Sequence, residues 1–240
     1  MTTKLITAPK IKPKTAMIEE QGRKLVRLLG KEWNIHRIIA TRKSMKPDIL
    51  IAENDGEFIV AKDFRNKIWL ARSFWGPLNI MYEKFILQKL KGITGIPEFI
   101  GLEDYNCLLL SYIDGDIIKK SCQNIAPGYF DRIFNIVEEI HARGVLHLDL
   151  GHKSNIMVRK NGNPAIIDFN TSIYLPLNSF FSPILRLLSK IDTTSIMRLK
   201  VKFRPQETTF SERQQVKKFL LIRKLWIFDK ISRRITSVSK

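Results

Sequence analysis

The stretch "HLDLGHKSNIMVRKNGNPAIIDFN", residues 147–170, decides how the chain is read. A polar segment sets out His147, Asp149 and Asn155, and "IMVRK" follows. The chain turns at "NGNP" and returns as "AIID", ending on Asp168. Apolar runs on either side of an Asn-Gly turn predict a short hairpin. A carboxylate at a strand end, with an amide and a second carboxylate nearby, offers the hard oxygen donors that suit Mg²⁺. Such a loop taken alone is more often solvent-exposed punctuation, so its meaning rests on what stands upstream.

Upstream, Lys62 lies in "VAK" within the predicted strand "EFIVAKDF", and Glu83 lies on a predicted helix opened by Gly76 and Pro77. A strand lysine can reach phosphates, and a glutamate on a facing helix can hold its ammonium in place. Each is weak alone, since strand lysines and helix glutamates are usually surface residues. Their order along the chain is the stronger signal: VAK, helix Glu, "SYIDG", H-x-D, Asn, then DF after the hairpin.

Composition bounds the rest. The 240 residues with a 44% hydrophobic fraction suffice for a large core or two lobes. Cys107 and Cys122 make neither a metal spacing nor a disulfide framework, which suits reduced thiols in a cytosolic protein. The start "MTTKLITAPKIKPKTAM" is basic and broken by prolines, and does not read as a secretory signal. No apolar run is long enough to span a membrane. The net charge of +18 is segregated: 12 basic and 4 acidic residues over 1–50, 14 and 15 over 51–180, and 15 and 4 over 181–240. Basic flanks around a neutral middle point to an anionic partner such as a membrane surface, with a solubilising excess as the plainer reading. Nucleic-acid binding as the main role is disfavoured, because no recognition motif accompanies the charge.

Residues 1–17 read as a flexible basic arm. A helix is expected from Ile18 to Leu29, ended near Gly30. "HRIIATR", "DILIAE" and "EFIVAKDF" read as strands, the last two joined by the hairpin signal "NDG" at 54–56. "EFIGLE" and "NCLLLSYI" add two more, and "DGD" at 114–116 reads as a linker-like turn. "PGYFDRIFNIVEEIHARG" carries Pro at its start and Gly at its end, as helices do. The last sixty residues are helical in flavour. The fold expected is α+β and two-lobed: an arm over 1–17, a strand-rich N-lobe with one helix over 18–113, and a helix-rich C-lobe with a basic tail over 114–240.

Over residues 35 to 175 the ordered set resembles the protein-kinase-like superfamily. "YEKFILQKLKGITGIPEFIG", the stretch from Ile140 to Asn170 and "IDTTSIMRLKVKFRP" are similar to small bacterial kinases of the RIO type and to lipopolysaccharide-core sugar kinases. The resemblance implies that Lys62, paired with Glu83, contacts the phosphates of ATP. It makes Asp149 the base that orients the acceptor hydroxyl, and gives Mg²⁺ to Asn155 and Asp168. Backbone groups of Ser111 and Ile113 would meet the adenine, with Leu110 behind it.

The sequence departs from the pattern in three places. No glycine-rich loop precedes Lys62, since "RKSMKP" contains none. Asn155 stands one residue beyond the usual spacing from Asp149, where Ser154 falls; the amide oxygen favours Asn155 as the ligand. "DFN" replaces DFG, so Asn170 takes a glycine position, where its tolerance of positive φ would preserve the turn. Leu148 replaces the arginine of many regulated kinases and no A-P-E follows, which argues against control by activation-loop phosphorylation. Lys153 is either a point charge for the transferred phosphoryl group or a solvated loop lysine. His147 is expected to support the loop by a backbone hydrogen bond; His152 is either a substrate contact beside the metal ligands or, the plainer reading, an exposed loop histidine; His36 and His141 have no evident partner.

The function implied is ATP-dependent phosphoryl transfer to a hydroxyl, in the manner of a Ser/Thr protein kinase. The alternatives are a lipid-linked core-sugar kinase at the inner membrane face and a nucleotide-binding scaffold without turnover. The location expected is the cytoplasm, with peripheral membrane attachment under the sugar-kinase reading. "FFSPILRLLSKI" (180–191) and "KKFLLIRKLWIF" (217–228) mix aromatics with cations in a way that suits an interface. Their apolar residues are expected in the helical core of the second lobe.

Overall fold

The computed structural model describes residues 17–20, 23–39, 45–119, 125–178 and 180–225. The arm expected at 1–17 lies outside them except for Met17, as do Cys122 and the tail beyond 225. They form two compact units. One holds the described residues up to Gln88 with Pro97–Tyr112, the other Lys89–Ile96 with those from Ile113 onward. Lys89–Ile96 goes with the second unit because Gly95 accepts the Ile166 amide at 2.9 Å, and Arg143 Nη1 donates to the Lys89 and Lys91 carbonyls.

The first unit is an antiparallel sheet of β1 (Met17–Glu20), β2 (Arg23–Leu28), β3 (Lys31–Ile39), β4 (Asp48–Asn54), β5 (Glu57–Asp63), β6 (Phe99–Asp104) and β7 (Cys107–Ser111). Their spatial order is β1-β2-β3-β4-β5-β7-β6. The helix expected from Ile18 to Leu29 is instead the antiparallel β1–β2 pair. Val26 and Leu28 are buried on either side of exposed Arg27, a period of two. Leu29 and Gly30, with φ of 51° and 76°, form the hairpin turn into β3 that was read as a helix end. The Asp55-Gly56 turn, at φ 50° and 81°, joins β4 to β5 as its sequence indicates. Val26, Leu28, Trp33, Leu50, Ala61 and Leu109 belong to one core cluster with Cys107, whose thiol burial pushes up and keeps inert.

One helix, α1 (Gly76–Lys89), completes this unit, entered through a π-helical turn at Ala71–Trp75. A Cβ at Gly76 would lie 2.7 Å from Phe64 Cγ, so only glycine lets the helix start approach the end of β5 this closely.

The second unit carries α2 (Tyr129–Ala142), α3 (Ser182–Phe203) and α4 (Phe210–Leu225). Its small sheets are β8 (Gly115–Ile117) with β10 (Ile156–Arg159) and β11 (Pro164–Ile166), and β9 (Val145–Leu146) with β12 (Ile173–Tyr174). "DGD" is therefore a strand edge and not a linker. Gly115 pairs with Arg159 so closely that a Cβ would meet Val158 O at 2.4 Å. α2 buries Tyr129, Ile133, Ile136, Val137 and Ile140, a helical stripe, and packs with α3. In α3 the buried side begins at Asp192; no side chain from 180 to 191 is buried. The core placement expected of that stretch therefore holds only in part: Phe181, Leu185 and Leu188 are half-buried along the side that leads to Asp192, while Phe180, Ile184 and Leu187 are exposed. Among the described residues no helix is long and apolar enough to cross a membrane.

Candidate active site

In the first unit β5 alternates. Ile59 and Ala61 enter the core cluster, and Lys62 presents the other face. On α1, Ile80, Glu83 and Leu87 share a buried face, so period 3.6 brings Glu83 inward with two aliphatic neighbours. Lys62 Nζ donates to both Glu83 oxygens, at 2.7 and 3.0 Å. The pair is almost sealed, with Lys62 8% and Glu83 1% exposed. Two further pairs brace the strand ends: Arg65 lies bidentate on Asp63, and Lys67 reaches Asp48. Burial opposes the Arg65 charge, but its hydrogen bond to Asp63 and the surrounding negative charge hold its pKa above the ordinary value. Leu110 is buried on β7. The Ser111 amide donates to Glu98 O at 2.9 Å and its hydroxyl accepts from Glu98 N at 2.8 Å.

In the second unit the loop at 147–155 hangs on a buried carboxylate. Asp192 of α3 is fully buried and accepts the His147 amide at 2.8 Å, the Leu148 amide at 2.7 Å and His141 Nε2 at 3.0 Å. Leu148 is held at φ 63°, a left-handed conformation uncommon for a leucine. His147, itself buried, pairs Nε2 with Ile167 O at 3.1 Å and packs its ring against Phe169, centroids 4.8 Å apart and planes tilted by 56°. Burial first, against the pull of Asp192, lowers its pKa.

Asn155 closes the loop. Its Nδ2 donates to Asp149 Oδ2 at 2.8 Å and to Asp149 O at 3.1 Å, and its Oδ1 accepts from Ser154 Oγ at 3.1 Å. The Ile167 amide donates to Asn155 O at 2.9 Å, tying this loop to the strand end that carries Asp168. Asn155, not Ser154, is thus the buried member of the two. The turn at "DFN" differs from expectation. Asp168 itself takes φ 68°, while Asn170 lies in a short 3₁₀ turn, Phe169–Thr171, and needs no positive φ. Asn170 Oδ1 is buried without a hydrogen-bond partner among the described residues.

The remaining histidines find neighbours: His141 on Asp192, His36 edge-on to Phe58 at 5.6 Å, and exposed His152 beside Ser154. Lys153 lies close to the Lys202 amine and near Lys119, and that like-charge crowding lowers its pKa. Asp192 was the functional residue that sequence reasoning passed over. Its signal was the lone acid of a basic helical stretch, in "SKIDTTSIM" between Ile191 and Ile196, where burial demands partners.

Chemically, the first unit offers a fixed ammonium. The second offers a carboxylate, Asp149, whose Oδ1 has no partner among the described residues. Asn155 Oδ1, Asp168 and Asn170 Oδ1 are hard oxygen donors close in the chain, which fits Mg²⁺ better than softer metals. Among the described residues no three His, Cys, Asp or Glu side chains gather to hold a metal by themselves.

No protein-family model matches the chain, and no curated protein matches its sequence. Solved structures do. The Rio2 kinase from Chaetomium thermophilum matches with TM-score 0.55 and 16% identity over 76% of this chain and 63% of that one. The ADP/Mg²⁺-phosphoaspartate complex of that organism's Rio2 kinase matches with TM-score 0.53 and 20% identity over 76% and 60%. The chain therefore spans about three fifths of the length of these proteins. At this identity the likeness establishes the fold: α+β, two-lobed and protein-kinase-like.

Proposed function

We propose that the protein is an ATP-dependent phosphotransferase acting on a hydroxyl acceptor. The observation that carries this reading is the fixed Asp149, held through Oδ2 by Asn155 and through the loop backbone by Asp192. In this reading Lys62, kept charged and aimed by Glu83, binds the α- and β-phosphates. The Ser111 carbonyl and the Ile113 backbone meet the adenine, against Leu110. Asn155 and Asp168 would hold Mg²⁺, which would neutralise phosphate charge. Asp149 Oδ1 accepts the hydrogen bond of the acceptor hydroxyl and takes its proton as the new O–P bond forms and ADP departs. Phosphoryl transfer asks mainly for positioning and charge neutralisation, and these five side chains supply both.

The acceptor read first is a protein Ser/Thr hydroxyl. A lipid-linked sugar at the inner membrane face is the second reading, favoured by the unburied stretch 180–191, where Phe180, Ile184 and Leu187 stand exposed near Arg186 and Lys190. The test is transfer of labelled γ-phosphate from ATP into a bacterial extract split into lipid and protein fractions. Asp149→Asn keeps the hydrogen bond from Asn155 but removes the base, and should lower transfer by about 10²-fold or more. Label in either fraction that depends on Asp149 supports the reading and names the acceptor class. Equal label from both proteins, with nucleotide still bound, would leave a scaffold.

A further inference from the structure

In α1 the face opposite the core is apolar as well. Gly76, Ile80, Glu83, Ile86 and Leu87 are buried, while Phe74, Leu78, Met81, Tyr82 and Phe85 stand exposed at i, i+4, i+7, i+8 and i+11. A helix apolar on two sides needs a cover on both. The segment ahead of it adds Trp69, 64% exposed, just before the π-helical turn, and Trp75, 50% exposed, at its end, with the Trp69 and Phe74 rings edge-on at 5.7 Å. Single exposed apolar residues need no explanation; a run of aromatics and aliphatics on one surface does.

Charge separates the candidate covers. Between residues 64 and 88 the one acid is Glu83, which is buried on Lys62, and Arg72 and Lys84 flank the exposed run. A second copy of the chain would bring a net charge of +18 against another +18. An anionic surface is attracted by the same charge. Tryptophans with phenylalanine, leucine and methionine beside cations, and no exposed acid, are the composition of a surface that sits at the lipid headgroup boundary. We infer that the exposed face of residues 69–85 docks onto an anionic lipid bilayer, with Trp69 and Trp75 entering the interface. This deepens the proposed function by naming the surface at which transfer takes place.

The test uses the full chain with Trp33→Phe and Trp226→Phe, so that Trp69 and Trp75 alone report. Vesicles of phosphatidylcholine and phosphatidylglycerol at about 3:1 are compared with phosphatidylcholine alone, each with and without brominated acyl chains. The expected result is salt-sensitive partition to the anionic vesicles with a blue shift and bromine quenching of both tryptophans. Replacing Trp69 and Trp75 by Ser should weaken partition on the order of tenfold. These residues are exposed, so unfolding midpoints should stay unchanged. Partition without quenching would mean that the basic flanks bind alone, and would overturn the inference. So would concentration-dependent self-association that shields the tryptophans, or no partition at all. ATP-dependent transfer measured on the same samples keeps the two readings apart. Loss of docking with transfer intact sinks this inference alone, and docking without transfer sinks the enzyme reading alone.

Discussion

Asp192 Oδ1 accepts the Leu148 amide at 2.7 Å and holds that leucine in left-handed backbone, one residue before the proposed base. Asp192→Ala would leave the buried His147 amide and the half-buried Leu148 amide without their acceptor and a strained residue without its restraint. The expected loss is about 3 kcal/mol or more of folding stability. Asp192→Asn, which keeps one acceptor oxygen, should lose less. Urea unfolding midpoints of the two variants check the order.

The Lys62–Glu83 pair separates stability from activity. Lys62→Met takes the ammonium from a buried carboxylate and should cost about 3–5 kcal/mol. The double change Lys62→Met with Glu83→Leu removes both charges and should recover most of that. Phosphoryl transfer should stay lost in both. Recovery of transfer in the double variant would remove Lys62 from the mechanism.

His147 gives the fold a pH dependence of definite sign. Burial favours its neutral form, so its folded pKa lies below the unfolded value of about 6.5. Below that pH the unfolded chain binds the extra proton, and stability falls as pH drops from about 6.5 toward the depressed folded value. Above that range the group contributes no slope. His147→Asn should be less stable at neutral pH yet show a flatter stability profile from pH 7 to about 5, read from unfolding midpoints.

Gly76→Ala tests the close approach of α1 to β5. The added Cβ would sit 2.7 Å from Phe64 Cγ and 2.9 Å from Ala71 O. Overpacking of this kind costs about 1–3 kcal/mol. Because it moves the start of the helix that carries Glu83, ATP affinity should fall beyond what stability alone explains. Equilibrium binding measured well below the melting temperature distinguishes the two effects.

The strands β4 to β7, β10 and β11 and the helices α1 and α2 were legible because turn chemistry and period agreed there: Asp55-Gly56, Asn161-Gly162, and the Pro-to-Gly frame of α2. Residues 18–29 misled because "IEEQGRKLVRLL" spaces its aliphatics compatibly with a helix. The neighbouring β3 supplied ladder partners that no local pattern announces. Lys62, Glu83, Asp149, Asn155 and Asp168 were nameable from order and spacing. Asp192 was not, since its work is done across 44 residues of chain. Asn170 was given a role that belongs to Asp168, because spacing identifies a turn without saying which residue carries its strain.

The π-helical turn at Ala71–Trp75 has one more consequence, a matter of angular phase. A π turn accommodates one residue more than an α-helical turn would over the same advance. Beyond it, every side chain of α1 is set by how many residues precede it. Deleting one residue between Ala71 and Trp75 would rotate the helix by about 100°. Glu83 would swing off Lys62, and the outer aromatic stripe would turn toward the sheet. The turn thus works as a clocking ring, fixing with one setting which residues face the ammonium and which face outward.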